Sequence, residues 1–156
     1  MKNIEVVRTY NGLAEIQKKE KEYFEKTGKQ LLGGRVKVLY AMKKNMNELL
    51  RKSEPYEESR MEILREYRDL DGEENNYKKA QKEYIEKSMV KRGIVPPSRE
   101  MIYKHGKTEK EMEEKLKELQ EIDAGDVQVH KISLKELEGL ELSSIELGAL
   151  MFMIEE

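Results

Sequence analysis

Apolar residues recur along this chain in steps of three and four, and change to strict alternation only near residue 127. That pattern predicts a series of helices followed by a short extended segment. Leu13, Ile16, Glu20, Tyr23 and Phe24 lie near helical spacing, which predicts a first helix running to about Lys26 with Gly28 as its stop. Residues 2–7 are β-branched and apolar enough for a strand and fit equally well as the start of that helix. The Gly33-Gly34 pair marks a turn between helices, since a phosphate loop would need further glycines and a Lys-Ser/Thr step that is missing.

The longest periodic run begins at Arg35. Leu39, Met42, Met46, Leu49, Ser53, Tyr56, Arg60, Ile63, Tyr67 and Leu70 follow alternating steps of three and four, a heptad-like seam. The phase survives Pro55, so either one kinked helix or two nearly collinear helices is expected, with Ser53 able to cap a fresh start. An acidic turn at residues 69–76 should end the run. Tyr77, Ala80, Tyr84, Ile85, Ser88 and Met89 then occupy one side of a further helix reaching Gly93, able to return against the seam as a hairpin. Val95-Pro96-Pro97 breaks it, Ser98 reads as the cap of a short helix, and Thr108 with Glu111 forms a capping box for a helix carrying Met112, Leu116 and Leu119.

The last thirty residues change character. Val127-Gln128-Val129-His130-Lys131-Ile132 alternates like a strand, and Ser133–Glu136 and Ser143–Glu146 each supply a capping box. The final helix, with Leu147, Ala149, Leu150, Met151, Phe152, Met153 and Ile154, is apolar around most of its circumference and must be buried in its own domain or in a partner. The expected fold is therefore mainly α. An elongated helical hairpin or antiparallel coiled-coil body spans residues 1–126, with the long seam at 35–70 and return helices at 76–122. A small strand-plus-helix module, residues 127–156, packs on that body.

Composition supports a narrow core, because 37% of the 156 residues are apolar, 40% are charged, and there are two Phe and no Trp. The absence of Cys excludes disulfides, thiolate metal sites and thiol nucleophiles. Neither a leader-like apolar stretch at the N-terminus nor a run near the length of a membrane span is visible, so residence in a bacterial host cytoplasm and no membrane partner are expected. The net charge of −2 conceals an uneven distribution. Residues 87–110 carry 7 Lys/Arg against 2 Asp/Glu, and residues 111–156 carry 4 against 13.

Chemistry-bearing patterns are sparse. The two histidines, His105 and His130, lie in unrelated contexts with no ligand pair at helical spacing, so structural or surface roles are expected and no metal or cofactor is implied. Carboxylates are too abundant on helical faces for any pair to signal acid–base catalysis, which needs a pocket that raises one pKa. The basic block is the main candidate contact: Lys87, Lys91, Arg92, Arg99, Lys104, Lys107 and Lys110, interleaved with Tyr103 and His105. It suits a nucleic acid or an acidic partner, with neutralisation by the acidic C-terminal block as the alternative. Leu39, Met42, Met46, Leu49, Tyr56, Ile63 and Tyr67 are candidates for a protein-docking or oligomer seam. Met151 and Phe152 are candidates for a docking helix or for ordinary core.

Residues 35–67, containing Leu39-Tyr40-Ala41-Met42-Lys43-Lys44-Asn45, and residues 127–156, with His130-Lys131-Ile132-Ser133-Leu134-Lys135-Glu136-Leu137-Glu138-Gly139-Leu140 and Leu150-Met151-Phe152-Met153-Ile154-Glu155-Glu156, resemble a family of small proteins of tailed phages and prophages of Gram-positive bacteria. Residues 77–125 are longer than such proteins would lead one to expect. The resemblance carries over no catalytic residue. It implies a non-enzymatic accessory protein that binds a host or phage protein, for example to inhibit a bacterial defence system such as a CRISPR nucleoprotein complex. A structural or assembly factor that self-associates through the seam, and a nucleic-acid-binding accessory protein, are the alternatives.

Overall fold

A computed structural model describes residues 1–155; Glu156, the last residue of the C-terminal motif, lies outside the described residues. Helices α1 (Asn3–Thr27), α2 (Val36–Tyr67), α3 (Leu70–Ser88), α4 (Glu109–Glu121) and α5 (Ser144–Leu150), with two 3-10 turns, form the regular structure. No helix among them is long and apolar enough to cross a membrane. The chain is mainly helical, as the periodicity predicts. No described residue lies in a strand, so the strand expected at residues 127–132 does not form. Two compact units divide the chain: Met1–Glu57 with residues from Gln120 onward, and Glu58–Leu119. The division falls inside the expected 1–126 body and groups residues 127–155 with the N-terminal helices.

The first unit is built on α1, which begins at Asn3 and so absorbs residues 2–7 into the helix. Glu5 accepts the Lys2 backbone N–H at 2.7 Å at its start. Gly28, at φ 68°, closes it by donating its N–H to the Phe24 carbonyl at 2.8 Å, a left-handed cap that side-chain-bearing residues resist. Val6, Leu13 and Ile16 from α1 meet Leu32, Val38, Ala41, Met42 and Leu49, and this core is closed by Ile132, Leu137, Leu150, Met153 and Ile154 from the C-terminal segment. The Ser143/Glu146 capping box starts α5 as expected, and Glu146 is held below the usual carboxylate range by the Ser143 backbone N–H and, further, by Lys19 at 3.2 Å.

Helices α1 and α5 touch at Gly12, where an added Cβ would lie 3.2 Å from Cβ of Ala149. Gly12→Leu should therefore force the two helices apart and lower stability by about 2 kcal/mol, the usual scale of overpacking. Urea unfolding measures it. An unchanged midpoint would mean that α5 yields at this contact without loss.

Burial alternates only from Val127 to Val129, which pack against the core; the next core residue is Ile132, three positions on, with Lys131 exposed, and the segment pairs with no strand. Its partner is a side chain. Asn45 of α2, almost fully buried, donates Nδ2–H to the His130 carbonyl at 2.9 Å and accepts the His130 N–H through Oδ1 at 2.7 Å. A carboxamide thus reproduces the donor–acceptor pair that a neighbouring strand would present. Beyond it, Ile132 donates to the Met153 carbonyl and accepts from Glu155, both at 2.8 Å, forming a single parallel bridge with Ile154.

The second unit comprises the end of α2, α3, the connection from residue 89 to 108, and most of α4. The helix seam does not run on to Leu70, and residues 69–76 are no turn. Helix α2 ends at Tyr67, Asp69 accepts the Gly72 N–H at 3.0 Å as the N-cap of α3, and Asp71 and Glu73 occupy the first turn, where negative charge is favoured. Glu73 is buried. It accepts Arg68 Nε–H at 2.8 Å, is further bonded by the same guanidinium, and accepts the Ile102 N–H at 2.8 Å. Asp69 N–H to the Ile102 carbonyl (2.8 Å) and Lys104 N–H to the Tyr67 carbonyl (2.9 Å) complete the junction. These bonds hold residues 102–104 extended across the α2–α3 corner, and the short helix expected after Ser98 is not formed. Leu64, Tyr67 and Met112 form the core here, flanked by Met61, Leu70, Tyr103 and Leu116. Thr108 and Glu111 cap α4 reciprocally, each accepting the other's backbone N–H at 3.3 Å.

Helix α2 is unbroken at Pro55. Its inward stripe runs through Val38, Met42, Asn45, Leu49, Ser53, Tyr56, half-buried Arg60, Leu64 and Tyr67, an average step close to the helical ~3.6, whereas the expected seam used ~3.5. The two coincide at Met42, Leu49, Ser53, Tyr56, Arg60 and Tyr67, and diverge where the drift accumulates: Leu39 is exposed, and Met46 and Ile63 are half-buried beside Asn45 and Leu64. Residues 36–57 of the helix pack on the first unit's core and residues 58–67 on the second's, and neither part supercoils about a partner helix as a 3.5 period would require. The seam is therefore mostly covered within the chain.

Candidate protein-binding surface

The basic block divides according to what each cation touches. Arg99 pairs with Glu74 and lies 4.5 Å from the Tyr77 ring centre. Lys104 donates to the Arg65 carbonyl at 2.6 Å. Lys107 and Lys115 both reach Glu66 at 3.1 Å and sit over the Tyr67 ring at 4.8 and 5.2 Å. Hydrogen bonds from Lys107 and Lys115 hold the Glu66 carboxyl below its ordinary range. Among the described residues, the carboxylates paired with the basic block are Glu66 on α2 and Glu74 on α3. Lys87, Lys91, Arg92 and Lys110 have no ion-pair partner among the described residues.

Three of those four lie together at the end of α3. The first half of this helix packs through Glu73 and half-buried Tyr77, but after Tyr84 nothing covers it, and Ile85 and Met89 are exposed. Lys87 carbonyl accepts both Val90 N–H (3.1 Å) and Lys91 N–H (2.9 Å), so the chain turns tightly after Ser88 and then reverses at Gly93. Pro96-Pro97 keeps the adjoining backbone extended. The result is a projecting apolar end in which Met89 is 81% exposed, Val90 90% and Val95 83%. A shallow, open cleft of about 550 Å³ lies there, lined by Glu86, Lys87, Val90, Lys91 and Ile94, so that two aliphatic side chains adjoin two lysines and one carboxylate.

Other surfaces carry less. Arg65, Arg68, Asp69, Asp71 and Lys104 surround a cavity of about 270 Å³ at the α2–α3 corner, but Arg68 and Lys104 are engaged in holding that corner. On the first unit, a groove of about 690 Å³ runs past Ala14, Lys18, Lys21, Phe24 and Leu39, with mixed charge along its edges. In the C-terminal segment Leu150, Met153 and Ile154 are core and Phe152 packs against it, which leaves Met151 as the exposed member of the docking pair expected there. His130 meets the Tyr40 ring edge-on at 5.3 Å, and His105 lies in an exposed turn. No group of three or more His, Asp or Glu among the described residues is placed to hold a metal ion.

Sequence reasoning locates the cations of this surface and misses its aliphatic part, because it assigns Met89 to a packed helix face. Three aliphatic residues on either side of Gly93, next to a Pro-Pro step, are the available sign of an uncovered end. Compared with protein-family models, with curated proteins and with solved structures, the chain matches none.

Proposed function

We propose that this protein works by binding another protein, without catalysing a reaction, and that the end of α3 is its docking surface. The observation that carries this reading is the exposure of Ile85, Met89, Val90 and Val95 within one short stretch. Large aliphatic side chains left together in water mark interaction sites, whereas single ones are ordinary surface. The stretch lies within residues 77–125, the part that exceeds what the phage and prophage resemblance would lead one to expect. That resemblance favours an accessory role in infected bacteria, with inhibition of a host defence complex as its concrete form. An assembly role through the α2 seam is less well supported, because Met42, Leu49, Tyr56 and Tyr67 are buried in the chain's own cores.

A photo-reactive residue placed at Val90 should cross-link a defined host or phage protein in infected-cell lysate, and the same residue at Lys117 on α4 should not. Met89→Asp with Val90→Asp should abolish specific capture while leaving the circular dichroism spectrum unchanged. Identical capture by the double variant would refute the assignment of this surface.

A further inference from the structure

We infer that the cleft at the end of α3 receives an acidic segment of the partner protein, seating one apolar side chain on Val90 and Ile94 while neighbouring carboxylates meet Lys87, Lys91 and Arg92. This rests on the protein-binding reading above and adds the chemistry of the partner. Charge complementarity is the argument. The paired cations of the block already have carboxylate or carbonyl partners, whereas Lys87 and Lys91 line the cleft beside Val90 and Ile94, and neither they nor the adjoining Arg92 has an ion-pair partner among the described residues. The open depression of about 550 Å³ has room for a few residues of an extended segment.

Nucleic acid fits less well. A sequence-tolerant single-strand site needs rings on which bases stack, and the apolar lining here is aliphatic. Glu86 also lines the cleft and would face a continuous line of phosphates, whereas a peptide can place its carboxylates at the lysines alone. An anionic bilayer meets the same carboxylate.

The test is selection from a displayed random-peptide library on the full chain, followed by fluorescence titration of the selected peptides, an oligothymidine strand and phosphatidylserine vesicles. Acidic peptides containing an apolar residue are expected. Their affinity should fall about tenfold or more in the Lys87→Glu/Lys91→Glu variant and in Val90→Asp, should weaken with added salt, and should be unaffected in Lys110→Glu. Selected peptides that lack acidic residues and lose binding only with Val90→Asp would overturn the inference and leave the protein-binding reading standing. Selection of no peptide that depends on this cleft would overturn both, as would binding of oligothymidine or vesicles alone. Self-association abolished by Val90→Asp would replace the acidic segment with a second copy of the chain. These substitutions lie on exposed side chains, and unchanged thermal unfolding verifies that each variant is folded.

Discussion

Asn45→Asp is expected to destabilise the first unit by about 3–5 kcal/mol at neutral pH and to regain much of that loss in acid. The size follows from geometry. Aspartate retains an acceptor for the His130 N–H but replaces the Nδ2 donor with a second carboxylate oxygen facing the His130 carbonyl, in a place that water does not reach. An ionised carboxylate there loses solvation and meets a like partial charge, so its pKa in the folded protein must rise above the unfolded value. The penalty is therefore complete above the raised folded pKa and shrinks as pH falls through it, because a protonated aspartic acid again donates one hydrogen bond and accepts another. Urea unfolding at a series of pH values measures this, with Asn45→Leu as a comparison that leaves both His130 groups unpaired at every pH. A penalty for Asn45→Asp that does not change with pH would show that the side chain swings out to water and that the His130 pairing is dispensable.

Glu73→Ala should have a comparable effect on the second unit, about 3–5 kcal/mol, as expected when one partner of a buried ion pair is removed and the other is left behind. Arg68 would lose the acceptor of two hydrogen bonds, and Ile102 N–H would lose its partner. Hydrogen exchange at Asp69, Ile102 and Lys104 should accelerate sharply, because the bonds their N–H groups donate hold the corner. Unaltered exchange would mean that Glu73 is not what holds it. The wild-type pH dependence has a definite direction. Arg68 holds the Glu73 carboxyl below its ordinary value, against burial and with help from the Ile102 N–H. Its contribution is therefore complete above the unfolded carboxyl pKa of about 4.5 and disappears as pH falls through the lower folded value. Glu73→Gln should flatten that acid limb of the stability curve.

Local signals are legible in the sequence because their causes are local. The stop at Gly28 and the Thr108/Glu111 and Ser143/Glu146 boxes involve residues three or four apart, and each is present. Residues 69–76 mislead because acidic residues favour both a solvated turn and the first turn of a helix; the Asp69 cap, the Arg68–Glu73 pair and the distant Ile102 N–H on Glu73 select the second. At residues 127–132 the alternation predicts a strand that does not form: it matches burial only at Val127 and Val129, and period two says nothing about what bonds the backbone. An asparagine eighty-five residues earlier does so. The candidate surface divides in the same way. Its seven cations are visible as a block, while the distinction between engaged and free ones depends on Glu66 and Glu74, which lie 41 residues from Lys107 and 25 from Arg99.

The grouping of both flanks of the chain into one unit has a consequence for the order of events during synthesis. Residues 58–119 leave the ribosome with every partner of the second core already made, so that unit can fold while the chain is still growing. The first unit must wait. Val6, Leu13 and Ile16, translated before the second unit, have an incomplete core until Leu150, Met153 and Ile154 arrive. Before those residues are made, the nascent protein would therefore carry a finished second unit while α1 still lacked part of its cover and remained accessible to chaperones and proteases.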